Sequence, residues 1–282
     1  MKRRGQYFLS ASAALMLFIF MPVYALADNA NIQIIEKEGE AVLGEDTTPA
    51  QARALALNNA RRAAIEQVSG VIVHGSSAVY NFQLISDLVA SATRGVIVKE
   101  EILQDDIRKE GKQIVYYVKI KAHVKALEGR EKSSLKLVRA NVVRYGSPSS
   151  SATIAFQDND EIQVNAKTNI DSYIHLFSIS QDGMVSKLYP NEYFKGDRIS
   201  SESDFVFPDE KQRSMGLKLR VRTPKNLSRV VETILIVATK EKNDFLANKK
   251  ADESTITDLM MELSETDASL WTEKAVGYEI RK

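Results

Sequence analysis

The sharpest alternation of apolar and polar positions lies in Ser172 to Asn191, SYIHLFSISQDGMVSKLYPN. Two runs rich in β-branched and aromatic residues flank Asp182-Gly183, a dipeptide suited to a two-residue turn with positive φ at both central positions. The spacing predicts a β-hairpin in which Phe177 faces Leu188 and Leu176 faces Tyr189, so that both faces carry apolar pairs and the hairpin is central and largely buried. The tip, Asp182 and Gly183, and the exit, Pro190 and Asn191, are its exposed places and form the candidate binding surface.

Around this hairpin the pattern predicts strands at Leu135 to Val143, Ala152 to Phe156, Glu161 to Ala166, Met215 to Val221 and, fully apolar, Val230 to Thr239. Near the end, Ile256, Leu259, Met260 and Leu263 recur at helical spacing behind Ser254 as cap, and Trp271, read as a core plug, precedes a strand at Val276 to Ile280. The earlier part of the chain reads differently. A strand at Ile32 to Leu43 leads to an alanine-rich helix capped by Thr48, with Pro49 at its first position, running to Val68. Ala52, Ala56, Ala60, Ala63 and Val68 give this helix a slim face that can lie close to a sheet. Arg53, Arg61 and Arg62 fall elsewhere and read as a solvated face with an Arg62 to Glu66 pair. A shorter helix is predicted at Leu84 to Ala92. Strands at Val96 to Leu103 and Ile114 to Val124 then flank the polar segment DDIRKEGK. In the second of these, Tyr116, Val118, Ile120, Ala122 and Val124 share one face, while Lys119, Lys121 and Lys125 share the other with Tyr117 and His123. That lysine face is the most basic surface feature and a possible docking face, against the simpler reading of a solvated sheet face.

The ends of the pattern give an address. Lys2, Arg3 and Arg4 precede an apolar run from Phe8 to Met21 and the small-residue motif Ala25-Leu26-Ala27, as in a secretory signal peptide over residues 1–27. The run is shorter than the roughly 17 to 25 residues of a spanning helix, so cleavage after Ala27 is expected, with no integral membrane segment afterwards. The 282 residues include no cysteine, which excludes disulfides, thiolate zinc sites, a cysteine nucleophile and a lipidated N-terminal cysteine. A secreted chain without disulfides fits a bacterial periplasm. Losing three positive charges with the leader moves the net charge from +1 to −2, which gives no reason to expect nucleic acid as a partner.

Two resemblances follow from longer runs. GEAVLGEDTTPAQARALALNNARRAAIEQVSGVIV, continuing through SDLVASATRGVIVKEEIL and the lysine-alternating strand, resembles the N-terminal domain of the flagellar assembly protein T family. This implies a periplasmic α/β module over residues 28–125. The order DNDEIQVNAKT, SYIHLFSISQDGMVSKLYPNEY, GDRI, FVFPDE, LKLRVRTP and ETILIVATKEKNDF resembles a bacterial domain of unknown function found fused to kinases, caspase-like peptidases and envelope modules. It implies an accessory domain over residues 152–282 with no catalytic residues to carry over; the polar stretch Glu202 to Ser214 looks less compact than that family's pattern. Together these give an α+β fold class: an N-terminal module with antiparallel strands and two helices, a linker and entry strand over 126–151, and a mostly antiparallel, β-sandwich-like domain with a C-terminal helix.

Candidate chemistry is sparse. His74, His123 and His175 lie on different elements with no pair at metal-ligand spacing, so no metal or other cofactor is expected. His175 is read as a core or rim histidine. Asp158-Asn159-Asp160-Glu161 lacks the glycine and terminal glutamate of a calcium loop and reads as a turn. No Gly-x-Ser-x-Gly elbow or phosphate-cradling loop occurs, so no catalytic residue is assigned. The expectation is a non-enzymatic periplasmic module that binds an envelope protein or peptidoglycan, through strand edges or loops. The alternatives are an envelope glycan hydrolase or its accessory subunit, and a flagellar motor ring component. The sequence leaves the oligomeric state open.

Overall fold

A computed structural model describes residues 32–44, 47–69, 95–126, 133–148, 155–180, 183–247 and 254–282. Thirteen strands and a few helices are found there, a mostly β, α+β arrangement of antiparallel sheets, and all of these residues belong to one compact unit.

The first layer is β1 (Ile32–Val42), β2 (Gly95–Glu110) and β3 (Gln113–Ala126), antiparallel in the order β1-β3-β2. Helix α1 (Pro49–Ser69) lies on it. Its start is a capping box: Thr48 Oγ1 accepts from the Gln51 amide at 3.2 Å, and Gln51 Oε1 accepts from the Thr48 amide at 2.9 Å. Ala52, Ala56, Ala60 and Ala64 are fully buried, so the helix turns Ala64 inward where the spacing favoured Ala63. Gly39 explains why the face must be slim. A Cβ there would sit 2.0 Å from the Ala56 carbonyl oxygen and 2.5 Å from the Ala60 amide, so β1 runs unbroken past Gly39 with the helix backbone against it.

The polar segment DDIRKEGK, left between the two expected strands, is strand as far as Glu110. β2 and β3 continue to the pair Glu110–Gln113, joined by the two residues Gly111-Lys112 with Gly111 at φ +60°. On β2 no residue from Lys99 to Glu110 is buried, so apolar alternation vanishes there although the backbone ladder persists. The helix expected at Leu84 to Ala92 lies outside the described residues.

The central layer follows the order β5-β13-β12-β7-β8: β5 (Ala155–Gln157), β13 (Trp271–Arg281), β12 (Arg229–Thr239), β7 (Ser172–Ile179) and β8 (Val185–Tyr189). β9 (Arg198–Ile199) adds to β7 at Ser172. The third layer is built on β6 (Glu161–Thr168), with β4 (Leu137–Arg144), β10 (Phe205–Phe207) and β11 (Leu219–Arg220) paired to it. A short helix, α2 (Glu210–Ser214), follows β10, and α3 (Ile256–Glu265) precedes a 3-10 turn (Ala268–Leu270) and β13.

Both faces of the central sheet are buried, and alternate residues go to different cores. Ile174, Leu176, Ile234, Ile236, Ala238, Tyr278 and Ile280 join one core with Val142, Ile162, Val164 and Phe205 of the third layer. Phe177, Ile179, Val185, Leu235 and Val237 join the other, with α1, β3 and the α3 residues Ile256, Leu259, Met260 and Leu263. Trp271 is buried in this second core, as the sequence suggested. The α3 cap is Thr255 in a box with Asp258, one residue beyond the expected Ser254.

The hairpin register is a correction. Leu176 faces Tyr189, but Phe177 faces Lys187. The connection is longer than the two-residue turn that Asp182-Gly183 suggested: the Ser180 amide donates to Met184 O at 3.0 Å, the Gly183 amide donates to Ser180 O at 2.8 Å, and Gly183 takes φ +82°. A bulge at Leu188 then restores the alignment at Tyr189.

His175 is a core histidine, 2% exposed. Thr239 Oγ1 donates to Glu241 O, so it accepts from His175 Nε2, 3.2 Å away, which leaves Nδ1 as the bare nitrogen. Burial first, and nearby Lys187 after it, lower the imidazole pKa from 6.5 to about 4, with Asp244 opposing them.

Two outcomes follow. Gly39→Ala forces α1 off β1 and lowers stability by about 2 kcal/mol, read as a shift of the urea midpoint at unchanged slope. His175, depressed in the folded state, contributes stability that is fully present above pH 6.5 and lost as pH falls through about 4. The loss is on the order of 3 kcal/mol by linkage and is flattened in His175→Gln; an unchanged acid profile in that variant contradicts the assignment.

Candidate functional site

The residues singled out from sequence are dispersed. Gly183 is not on an exposed tip: it is buried, a Cβ there would sit 3.4 Å from Asn58 of α1, and its carbonyl accepts from the Ile256 amide at 3.0 Å. Gly183 is thus wedged between α1 and α3. Asp182 lies outside the described residues.

Lys119, Lys121 and Lys125 share the outer face of the first sheet, but acidic neighbours accompany them. Lys119 Nζ is 3.1 Å from Glu36 and 3.7 Å from Glu38, and Lys121 is flanked in register by Glu36 and Glu101. Lys125 stands between Ile32 and Val96. The face therefore carries mixed charge. The arginines of α1 also have partners beyond a solvated face: Arg53 Nε donates to Asp105 at 2.7 Å and Arg61 Nε to Glu100 at 2.9 Å, both on β2, while Arg62 lies 3.9 Å from Glu66 as expected.

The acidic run at 158–161 makes the turn between β5 and β6, with Asn159 at φ +72°. Asp158 accepts from the Thr223 amide at 2.6 Å, and Asp160 from Arg144 Nη2 at 2.6 Å. Glu161 accepts from Arg213 at 2.7 Å and Arg220 at 2.8 Å, with Lys218 3.2 Å away; these cations, Arg213 foremost, hold its pKa down to about 2. Its carboxylate is a structural anchor. Among the described residues no three His, Cys, Asp or Glu side chains are grouped to hold a metal ion.

What the structure assembles instead is a cleft of about 750 Å³ beside the hairpin exit. One wall is the segment from Tyr189 to Ser200, the other runs from Ser203 through β10 and α2 to Met215. Pro190 and Asn191 do not line it but hold the loop that forms the first wall. Asn191 Oδ1 accepts from the amides of Tyr193 and Phe194, both at 2.9 Å, its Nδ2 donates to Leu188 O at 2.8 Å, and its own amide donates to Phe194 O. Pro190 packs against Gly196, where an added Cβ would come within 3.1 Å of its ring. Tyr189, Phe194, Phe205 and Phe207 cluster at centroid distances of 5.2 to 6.3 Å and fix the loop from below. Tyr193 is thereby held out, 78% exposed, with its hydroxyl beside Glu192.

Charge in the cleft is unevenly committed. Asp204 pairs with Arg139 at 2.8 Å and Lys167 at 3.6 Å, and Asp209 caps α2 by accepting from the Gln212 amide at 2.7 Å. Lys195, Arg198 and Lys211 make no ion pair among the described residues, and Asp197 is the remaining carboxylate of the lining. Sequence reasoning missed this site because its two walls are far apart in the chain. The one local signal was the pair of segments, NEYFKGDRIS and Glu202 to Ser214, where alternation lapses.

The fold is thus that of a mostly antiparallel β protein with a helical layer against its central sheet. A family model described as Domain of unknown function (DUF4384) matches residues 155–242, which takes in both walls of the cleft. It ends before α3 and β13, short of the span over which the sequence resembles that class of domain. No curated protein matches the chain.

Asn191→Ala removes the acceptor that organises Tyr193 and Phe194. Limited proteolysis is expected to cut between residues 191 and 200 at least several-fold faster, with the melting of the whole protein little changed; equal cutting rates contradict the role given to Asn191.

Proposed function

We propose that this protein is a non-enzymatic binding module of the bacterial cell envelope, secreted by its N-terminal segment and recognising an envelope protein or peptidoglycan through the cleft beside the hairpin exit. The observation that carries this reading is the cleft itself: an aromatic cluster that fixes its loop, an outward tyrosine, and a lining of mixed charge. These are features of a recognition surface. The two other acids of the lining, Asp204 and Asp209, are engaged in an ion pair and a helix cap, which weighs against the glycan hydrolase reading. No described helix is long and apolar enough to cross a membrane. A β-sandwich-like description of the two facing C-terminal sheets fits the same reading, as does a periplasmic α/β module ahead of them. A flagellar ring role rests on the N-terminal resemblance alone.

Expression of the full chain in a Gram-negative host, followed by osmotic shock and co-sedimentation with purified sacculi, tests the proposal. Release of a shortened protein into the shock fluid, and its retention on sacculi or by cross-linking to a specific envelope protein, is the expected result. A full-length cytoplasmic protein, or one retained by neither, overturns it.

A further inference from the structure

We infer that β2 pairs edge to edge with β2 of a second copy of this chain, antiparallel, about a two-fold axis that passes between Gln104 and Asp105. The pairing is independent of the cleft and of any envelope ligand. The edge is open: among the described residues β2 ends its sheet with β3 as its ladder partner, so from Lys99 to Glu110 the backbone groups on its other side have no strand beside them. Val96 and Ile97 are buried in the core that holds α1 and α3. From Lys99 onward no residue of β2 is buried, and Ile102, Leu103 and Ile107 are 39%, 42% and 53% exposed.

Charges and a bulge on an edge strand ordinarily keep copies apart. On β2 their order does the reverse. A two-fold axis normal to the sheet requires facing residues of the two copies to lie on the same side of it. The register with β3 fixes those sides: Lys99, Glu101, Arg108 and Glu110 lie on the outer face, and Glu100, Ile102, Ile107 and Lys109 on the face of α1. The register shift at Leu103 is what brings Ile102 and Ile107 to one face. Centred between Gln104 and Asp105, Lys99 faces Glu110, Glu100 faces Lys109, Glu101 faces Arg108 and Ile102 faces Ile107, every pair on a common face. Each charged pair is opposite in sign and occurs twice by symmetry. Sliding one copy by one residue puts facing side chains on opposite faces. Sliding it by two sets Lys99 against Arg108 and Glu101 against Asp106 in one direction, and Glu101 against Glu110 in the other, all like charges. Lys99, Glu101, Lys109 and Glu110 make no ion pair among the described residues, so the second copy supplies their partners. At the axis, the carboxylates of Asp105 and Asp106 are already answered within each copy by Arg53 at 2.7 Å and Arg108 at 3.1 Å.

Analytical ultracentrifugation of the purified full chain over a concentration series tests the pairing. A reversible equilibrium between monomer and dimer is expected, with the dimer weakened as salt rises. Lys99→Glu or Glu110→Lys alone sets like charges opposite each other at two places and should weaken the dimer about tenfold or more, whereas both changes in one chain exchange the signs and should restore it to within about threefold. Circular dichroism checks that each variant is folded. The absence of cysteine from the chain allows a second reading that needs no charge variant. A short thiol-reactive cross-linker should join Ile102→Cys protein to Ile107→Cys protein in an equimolar mixture, and should leave Ile102→Cys protein alone largely unjoined. A chain that stays monomeric, a dimer indifferent to either single change, a dimer that the double change does not restore, or equal cross-linking of Ile102→Cys protein to itself overturns the inference.

Discussion

The interaction on which the rest of the structure depends is the burial of both faces of β7 and β12. In most antiparallel sheets one face meets solvent, and a strand then shows one apolar residue in two. Here Leu176 and Ile236 are packed toward the third layer while Phe177 and Leu235 are packed toward α1 and α3, all with no exposed surface. The central sheet is a wall common to two cores. Removing either neighbouring layer would expose a row of large apolar side chains, so the N-terminal helix and sheet cannot be regarded as an appendage to the β-rich part.

Secondary contacts fit this arrangement. The hairpin connection at Gly183 is pinned between Asn58 and α3, and the hydrogen bond from the Ile256 amide to its carbonyl carries the central sheet into the helix that covers it. At the opposite side of α1, the missing side chain of Gly39 lets the helix approach β1 to backbone contact. The cleft sits at the other end of the hairpin, where β8 leaves the sheet. Its loop is braced by aromatic rings that reach into the core between the central and third layers, so the cleft is anchored in that core.

Legibility in the sequence followed locality. The hairpin strands, the α1 cap at Thr48, the apolar side of α3 and the core position of Trp271 were readable because each rests on a short-range pattern or a near neighbour. The Phe177–Leu188 pairing was misread because Asp-Gly is compatible with more than one connection length, and the bulge at Leu188 leaves no mark in composition. The β2 strand was expected to end at Leu103 but runs to Glu110, because a strand solvated on both faces has no hydrophobic period. Gly183 was taken for an exposed tip because only the tertiary fold brings α1 over it. Pro190 and Asn191 were read as an exposed exit, whereas both are half-buried and hold the loop, Asn191 through the amides of Tyr193 and Phe194 and Pro190 against Gly196.

Native-state hydrogen exchange of the full chain tests the shared wall most directly. The account predicts that amides of residues 172–179 and 230–239 exchange only by global opening, and that the inner positions of β3 and α1 open with the same free energy and the same denaturant dependence. If α1 and β3 instead open at a much lower free energy while β7 and β12 remain protected, the two cores are independent and the central claim is wrong.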